Sequence, residues 1–270
     1  MKAKLCFGLF LVLTSFFIIS CKPSTDESEK TTYSFSISSD GEIQGIYGVI
    51  TEEIIIPSKV SNINVVRIGN NAFQNNSAIK KITIPSSIKS LGKNAFNNCS
   101  KLTTVNIANG LKTIEEHCFY ECENLTSISL PDSVETIGES AFGHTGFSTF
   151  IIPPKITVLD NWIFYTCKNL KTIIWNNNIQ EIKSYAFAAC TGLEEIEIPS
   201  SVTKMGSDMF NCCYSLRAIY IPSSVTILGD YLCSYTPTDL IIYLQADSVP
   251  SGWASNWNSS NKQIIFNYSK

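Results

Sequence analysis

Cysteine is the residue in this chain with the greatest capacity for chemistry, since it occurs ten times in 270 residues. In an exported protein so many cysteines suggest disulfide bonds, and a thiol beside a histidine can act as a nucleophile. Five of the ten share one position, three residues after a recurring phenylalanine: Cys99, Cys122, Cys167, Cys190 and Cys213. A slot that recurs in this way is typical of a small buried side chain, so we expect a column of reduced thiols. A disulfide between neighbours such as Cys99 and Cys122 is the alternative.

The two histidines, His117 and His144, offer little for catalysis. They occupy variable positions, two residues before and two residues after a recurring phenylalanine, where we expect side chains to face solvent. His117 precedes Cys118, but adjacent residues rarely form a nucleophile–base pair, and Cys118 stands in a small inward slot. The sequence therefore predicts a protein that is not an enzyme.

Other residue patterns exclude further kinds of site. The chain has no glycine-rich phosphate loop and no acidic calcium loop, and its cysteines lack the spacing of zinc ligands. Glu194, Glu195 and Glu197 cluster on one predicted strand, where a solvated patch is the favoured interpretation. A net charge of −3 without a basic stripe argues against a nucleic-acid partner. We expect neither a metal ion nor a cofactor.

A repeat of about 23 residues positions these side chains. The recurring phenylalanines are separated by 23, 23, 22, 23 and 23 residues: Phe96, Phe119, Phe142, Phe164, Phe187 and Phe210. Phe73 marks a weaker first copy, and each unit reads approximately L-x-x-I-x-I-P-x-S-V-x-x-I-G-x-x-A-F-x-x-C. A period in the twenties is typical of a solenoid, in which stacked coils bury what one coil alone would expose.

The unit from Leu125 to Thr145 indicates how one coil forms. Ile128 and Leu130 alternate with a serine, as in a half-buried strand, and Pro131 ends the strand in a turn. Gly138 permits a further backbone turn, and the Ala-Phe pair is predicted to form a short helical or 3₁₀ turn that plugs the coil. Strands of successive coils then pair as a parallel sheet. The predicted fold is a β-rich solenoid with an α/β-type repeat and about 7–8 coils.

Non-repeating segments at both ends are predicted to cap the solenoid, because an open stack would expose core side chains and strand edges. We assign residues 33–78 to an N-terminal cap and a first irregular repeat, residues 79–244 to the regular repeats, and residues 245–270 to a C-terminal cap. In the C-terminal cap, Trp253, Trp257 and Phe266 are expected to cover the core.

Two details of the N-terminal cap can be predicted. Ser39-Asp40-Gly41 lies between two apolar stretches and indicates a β-hairpin. About five extra residues between Pro57 and Phe73 are expected to bulge as a loop.

The first residues have the features of an export signal. Lys2 and Lys4 precede an apolar run that is short for a membrane span, which is typical of a signal peptide, here residues 1–20. Ile18-Ile19-Ser20-Cys21 is similar to a bacterial lipobox, so Cys21 is the expected lipidation site, at the start of a flexible tether over residues 21–32. An ordinary signal peptide cut nearby and an uncleaved anchor are the alternatives.

The units IPSSIKSLGKNAFNNCSKL (residues 84–102) and IPSSVTKMGSDMFNCCYSL (residues 198–216) resemble BspA-type leucine-rich repeats. The ending YLQADSVPSGWASNW (residues 243–257) is similar to a terminal segment that is common in that family. The resemblance covers roughly residues 33–270 and implies a right-handed, curved solenoid on a bacterial surface protein. Many members of the family are lipoproteins or adhesins, and the resemblance carries no catalytic residues.

Two outward-facing columns are candidates for a partner site. The middle residues of the predicted strands form the first column, whose C-terminal part carries larger side chains than its N-terminal part: Ile151, Ile174, Glu197, Tyr220 and Tyr243, with Arg217 nearby. The second column lies two residues before each repeat phenylalanine and includes Trp162 and Tyr185, with Tyr165 close to Trp162. Tyrosine and arginine are enriched at binding hot spots, and contiguous exposed aromatic side chains usually mark a contact surface. Scattered surface aromatics and pairing between coils are the alternative.

These features favour a non-catalytic adhesion lipoprotein on the outer surface of a bacterial cell, held to the membrane by its lipid. The ligand class implied by the resemblance is a protein of the host matrix, of the host cell surface or of another bacterium. A carbohydrate-binding module is the second hypothesis, since Trp162, Tyr165 and Tyr185 offer aromatic faces on which a glycan stacks. A structural envelope scaffold that contacts only itself or sibling proteins is the third.

Overall fold

The computed structural model describes residues 33–269, which form a solenoid of about ten turns of roughly 23 residues. The signal peptide, Cys21 and the tether predicted for residues 1–32 lie outside the described residues. The described chain contains strands, turns and bends but no helix. Over residues 33–269, therefore, no helix has the length and hydropathy needed to cross a bilayer.

Most coils contribute one longer and one shorter strand. In chain order the strands are β1 (Tyr33–Ile37), β2 (Glu42–Gly48), β3 (Glu53–Ile55), β4 (Lys59–Val60), β5 (Ile63–Asn64), β6 (Arg67–Ile68), β7 (Lys81–Ile84), β8 (Ser90–Leu91), β9 (Thr104–Ile107), β10 (Thr113–Ile114), β11 (Thr136–Ile137), β12 (Thr149–Ile151), β13 (Val158–Leu159), β14 (Thr172–Ile174), β15 (Glu181–Ile182), β16 (Glu195–Glu197), β17 (Lys204–Met205), β18 (Ala218–Ile221), β19 (Ile227–Leu228), β20 (Ile241–Leu244) and β21 (Gln263–Ile265).

The strands form two series of parallel ladders, as the repeat predicts. The long-strand series contains β3-β7-β9, β12-β14 and β16-β18-β20-β21, and the short-strand series contains β2-β6-β8-β10-β11 and β13-β15-β17-β19. Equivalent residues of successive coils are direct partners; Ile196, for example, pairs with Ile219, and Ile219 pairs with Ile242. Because alternate residues of a strand point to opposite sides, each ladder buries one column of side chains and presents the next to solvent.

A missing residue disturbs the stack in its middle. Phe142 and Phe164 are 22 residues apart, and the missing position lies between Thr145 and Phe147, where Gly146 replaces two residues. A Cβ on Gly146 would lie 2.4 Å from the Glu123 carbonyl oxygen, so the shortened turn requires glycine. Here the short-strand series is interrupted, because β11 and β13 do not pair.

The predicted strand at Ile128–Leu130 is wrong, because residues 125–131 form no strand. Ile128 and Leu130 still pack against the core and Ser129 is exposed, so the predicted alternation is retained although no ladder forms. The long-strand series has a second interruption between β14 and β16, which belong to separate sheets.

The turns around the repeat phenylalanines are β-turns, which corrects the prediction of a short helical or 3₁₀ turn. Backbone N–H groups donate alternately to a carbonyl of the same turn and to a carbonyl of the next coil. The Asn97 N–H donates to Asn94 O (3.1 Å), whereas the Phe96 N–H donates to Cys118 O (2.8 Å). Two positions in each turn have positive φ, for example 54° at Asn94 and 55° at Asn98. The inter-coil bonds continue from Phe73 to Leu232, across both interruptions of the strand ladders.

A stack of phenylalanine rings fills the core behind these turns. Successive rings from Phe73 to Phe210 lie 5.1–6.4 Å apart and within 17° of parallel. The largest separation, 6.4 Å, joins Phe142 to Phe164 across the shortened coil. Phe147 and Phe150 pack against Phe142 at 5.7 and 5.0 Å and fill this gap. The core is therefore continuous where the sheets are not.

Both predicted caps are present. The chain turns at Ser39-Asp40-Gly41 between β1 and β2, which form an antiparallel hairpin, and Phe35 covers Phe73 with a ring distance of 6.4 Å. At the other end Trp253 and Trp257 are buried, as predicted, and the Trp253 indole N–H donates to Val225 O (3.0 Å). The same prediction is wrong for Phe266, whose side chain is exposed at the surface.

The expected loop between Pro57 and Phe73 is instead a second hairpin, formed by β4 and β5. Its two connecting residues, Ser61 and Asn62, both have positive φ, as a tight two-residue connection requires.

Candidate binding surface

The cysteine column is built as a ladder of thiols in the core. The thiol of Cys122 donates to Phe96 O at 3.1 Å, and that of Cys190 to Phe164 O at 3.2 Å, so each thiol reaches the preceding coil. Cys99, Cys167 and Cys213 make the equivalent bonds at 3.1–3.2 Å. All eight described cysteines are free, and only Cys212 is not buried. The prediction of reduced, buried thiols is therefore confirmed for residues 33–269.

Burial suppresses the reactivity of these thiols. Loss of hydration raises the pKa of Cys99 to about 12 and that of Cys167 to about 11. The same cause raises the pKa of Cys118 well above its ordinary value. Since the thiolate is the nucleophile, the Cys118–His117 pair has no activated thiol. His117 instead binds Glu116, with 3.0 Å between Nδ1 and Oε1.

A chain of half-buried rings crosses the turns of four successive coils. Tyr120 lies between His117 and His144, at ring distances of 5.2 and 5.1 Å. His144 lies 5.4 Å from Tyr165, and Tyr165 lies 5.0 Å from Trp162. We call this set, together with Tyr185, the turn-edge aromatics. Burial lowers the pKa of His144, although Glu121 and Glu123 oppose that effect.

The turn-edge aromatics make most of their ring contacts with one another. Trp162 and Tyr185 stack at 3.9 Å with planes 2° apart, so each covers one face of the other. The carboxylate of Asp208 raises the pKa of the Tyr185 hydroxyl. Trp162, Tyr185 and His144 all have positive φ, because their positions belong to the stacked β-turns. The rings of neighbouring coils therefore pack against one another at this column, and whether they also bind a partner stays a prediction.

The outward column of the long-strand series forms a second, separate surface, which we call the strand face. Ile151 pairs with Ile174, and these side chains are 62% and 47% exposed. Glu197 pairs with Tyr220 and Tyr220 with Tyr243, so the predicted register holds within each part of the column, with a break between Ile174 and Glu197 where β14 and β16 do not pair. Exposed aliphatic side chains in adjacent coils are unusual for a surface without a partner.

The C-terminal part of the strand face is aromatic. Tyr220 and Tyr243 stack at 4.7 Å, and Tyr268 from the C-terminal cap contacts both, at 5.5 and 6.1 Å. Arg217 lies beside this group and pairs with Asp239 at 3.5 Å. The structure thus places six of the nine predicted partner-site residues on the strand face, and it places Trp162, Tyr165 and Tyr185 at the turn edge.

A cleft opens on the strand face where β14 and β16 do not pair. It has a volume of about 230 Å³, and its lining includes Trp175, Tyr220, Lys171, Glu195 and Glu197. Trp175 occupies the slot in which other coils bury an aliphatic residue such as Ile198, but it is half-buried and meets Phe187 edge-on at 6.1 Å.

Glu194, Glu195 and Glu197 are all exposed, in agreement with the predicted solvated patch. The sequence did not predict this cleft, because a large ring in an inward slot does not show by itself that two coils fail to pair. Sequence reasoning also missed Tyr268, for which the repeat carries no signal. Among residues 33–269 no group of three or more histidine, cysteine or carboxylate side chains could hold a metal ion.

Comparisons with known proteins agree with this fold. A sequence model of the BspA-type leucine-rich repeat region matches residues 47–171 and 112–241, with six copies. Among solved structures, a leucine-rich repeat protein from Bacteroides ovatus is 25% identical, with a TM-score of 0.66 over 96% of this chain and 71% of its own. A leucine-rich repeat protein of T. pallidum is 24% identical, with a TM-score of 0.63 over 71% of this chain and 91% of its own.

A leucine-rich cell surface protein of Faecalibacterium prausnitzii is 20% identical, with a TM-score of 0.55 over 92% of this chain and 96% of its own. Comparison with curated proteins gives no match. The family model spans well over half of the chain, and its repeats coincide with the coils described above. The chain therefore belongs to the family of BspA-type leucine-rich repeat proteins.

Proposed function

We propose that this protein is a non-catalytic adhesion protein that binds another protein through its strand face. The observation that carries the proposal is the alignment of Ile151, Ile174, Tyr220 and Tyr243 on one surface, in a family whose extended repeats suit protein contact. Tyrosine and exposed aliphatic side chains in register supply large contact area at low entropic cost. The partner class is a protein of the host matrix, of a host cell or of another bacterium.

Export and anchoring form part of the same proposal. The apolar run after Lys2 and Lys4 and the Ser20-Cys21 pair support a signal peptide followed by lipidation of Cys21. The Faecalibacterium prausnitzii relative is described as a cell surface protein, which agrees with an exported solenoid. Protease treatment of intact cells tests this part. Release of peptides from residues 33–269 is expected, whereas release only after lysis would place the protein inside the envelope.

Binding is tested by capture. The purified solenoid, immobilised, is exposed to matrix proteins, to host cells and to other bacteria, with an unrelated lipoprotein as the control. We expect capture above the control, and a double variant Ile151→Ser with Ile174→Ser should reduce it. Equal capture by the control would refute the proposal.

The carbohydrate-binding hypothesis has less support. Trp162 and Tyr185 cover one face of each other, which reduces the aromatic area that a sugar ring needs. A glycan array tests it directly, because binding that is lost in a Trp162→Ala variant would support a glycan site at the turn edge. The third hypothesis, a self-contacting envelope scaffold, predicts cross-linked oligomers on cells.

A further inference from the structure

The cleft between β14 and β16 has a composition that selects one kind of ligand group. Its lining includes the Trp175 ring, Tyr220, the carboxylates of Glu195 and Glu197 and one cation, Lys171, so the acidic side chains outnumber the basic one. An aromatic ring next to carboxylates attracts an organic cation, through charge-assisted hydrogen bonds and through contact with the ring face.

Two neighbouring hollows extend the cleft along the interruption in the sheet. One, of about 450 Å³, is lined by Lys171, Glu194, Glu195 and Arg217. The other, of about 300 Å³, shares Trp175 and Glu197 with the cleft and reaches Tyr268. Three glutamates thus face two basic residues, and Arg217 is already paired with Asp239 at 3.5 Å. The groove therefore carries excess negative charge.

The size of the cleft fits a single long side chain. A water molecule occupies about 30 Å³ in the liquid, so about 230 Å³ corresponds to roughly seven or eight waters. Beside the cleft, Ile151 and Ile174 offer exposed apolar area on the adjoining coils, which are spaced by about 4.8 Å. One extended segment can therefore place a cationic side chain in the cleft and an apolar side chain against the isoleucines.

We infer that the cleft is a recognition pocket for an arginine side chain of a protein partner, presented on an extended segment beside an apolar residue. This inference rests on the proposed protein-binding function and names the chemistry of the partner. Arginine is favoured over lysine because its planar guanidinium can bind two carboxylate oxygens while it stacks on an aromatic ring.

The probe is a blocked pentapeptide with the sequence Gly-Ile-Gly-Arg-Gly, titrated into the protein by calorimetry and by tryptophan fluorescence. The same peptide with citrulline in place of arginine keeps the shape and removes the charge. We expect the citrulline peptide to bind about tenfold more weakly or worse, and the lysine peptide to lie between them. Higher salt should weaken the arginine peptide specifically.

Matched variants locate the site. Glu195→Gln and Glu197→Gln should each reduce affinity for the arginine peptide about tenfold, and Trp175→Phe should remove most of the fluorescence change. Glu181→Gln is the control, because Glu181 lies on β15 in the short-strand series, outside the lining of the cleft, and its substitution removes the same charge. Equal affinity for the arginine and citrulline peptides, or an equal loss in the Glu181→Gln variant, would overturn the inference.

The same variants separate this inference from the proposed function. If Glu195→Gln and Glu197→Gln leave partner capture unchanged while the Ile151→Ser and Ile174→Ser double variant abolishes it, the strand face binds protein and the arginine pocket is wrong. If no partner is captured by the unaltered protein, the proposed function itself fails. Thermal unfolding of each variant confirms that the fold is retained.

Discussion

The thiol column makes a quantitative prediction about alkylation. At pH 8 a thiol with the ordinary pKa of 9.0 has about one molecule in ten as thiolate, whereas Cys99, with a pKa of about 12, has about one in 10,000. Since the thiolate is the attacking species, the chemistry alone slows Cys99 by about 1,000-fold. Its side chain is also buried, so labelling requires the coil to open first.

The assay is a time course with N-ethylmaleimide at pH 8, followed by peptide mapping by mass spectrometry. Among the described cysteines, Cys212 should be modified first, because it is the one that is not buried. Cys99, Cys122 and Cys190 should be modified only as fast as the solenoid opens, and rapidly in denaturant. Modification of Cys122 or Cys190 as fast as Cys212, in protein that keeps its circular dichroism spectrum, would refute the buried column.

Three further predictions concern stability. Phe119→Ala removes a buried ring stacked on both neighbours and should cost about 3–5 kcal/mol in chemical denaturation, whereas Phe266→Ala at the surface should cost less than about 0.5 kcal/mol; similar losses would argue against the ring stack. Thr166 and Asn98 occupy equivalent turn positions, with φ of 57° and 55°, and this left-handed conformation is more strained for a β-branched threonine than for asparagine. Thr166→Asn should therefore raise the melting temperature by about 2–4 °C, and a decrease would contradict this strain. Burial raises the pKa of Cys99 from 9.0 to about 12, so its contribution to stability is complete below pH 9 and is lost as the pH rises toward 12, by up to about 1.4 kcal/mol per pH unit. Alkaline denaturation should therefore be less steep in a Cys99→Ala variant, and an unchanged slope would contradict the burial of this thiol.

The repeat predicted most of the fold because every coil makes the same contacts with its neighbours. The position of each phenylalanine fixes the ring stack, and the position of each cysteine three residues later fixes the thiol ladder. The burial of Cys118 followed from the same offsets, whereas His117 and His144, which were expected to face solvent, are half-buried against tyrosine rings. Ile151 and Ile174 could be placed on the outside because a strand alternates its side chains, and the register of the coils aligned them.

The features that sequence reasoning missed arise where coils differ from one another. The strand expected at Ile128–Leu130 is lost beside a turn shortened by one residue, and the repeat cannot indicate how far this effect extends. The turn around each phenylalanine was expected to be helical, because a period alone does not distinguish bonds within a turn from bonds to the next coil. The cleft beside Trp175 depends on two coils that fail to pair, which is a property of their packing and of no single motif.

The most direct test of the account compares the two candidate surfaces in one binding measurement. A partner captured from the matrix or cell panel is titrated against three proteins: the unaltered solenoid, a strand-face variant with Tyr220→Ala and Ile174→Ser, and a turn-edge variant with Tyr165→Ala. Surface plasmon resonance should show at least a tenfold loss of affinity for the strand-face variant and little change for the turn-edge variant. Loss confined to the turn-edge variant would contradict the assignment of binding to the strand face.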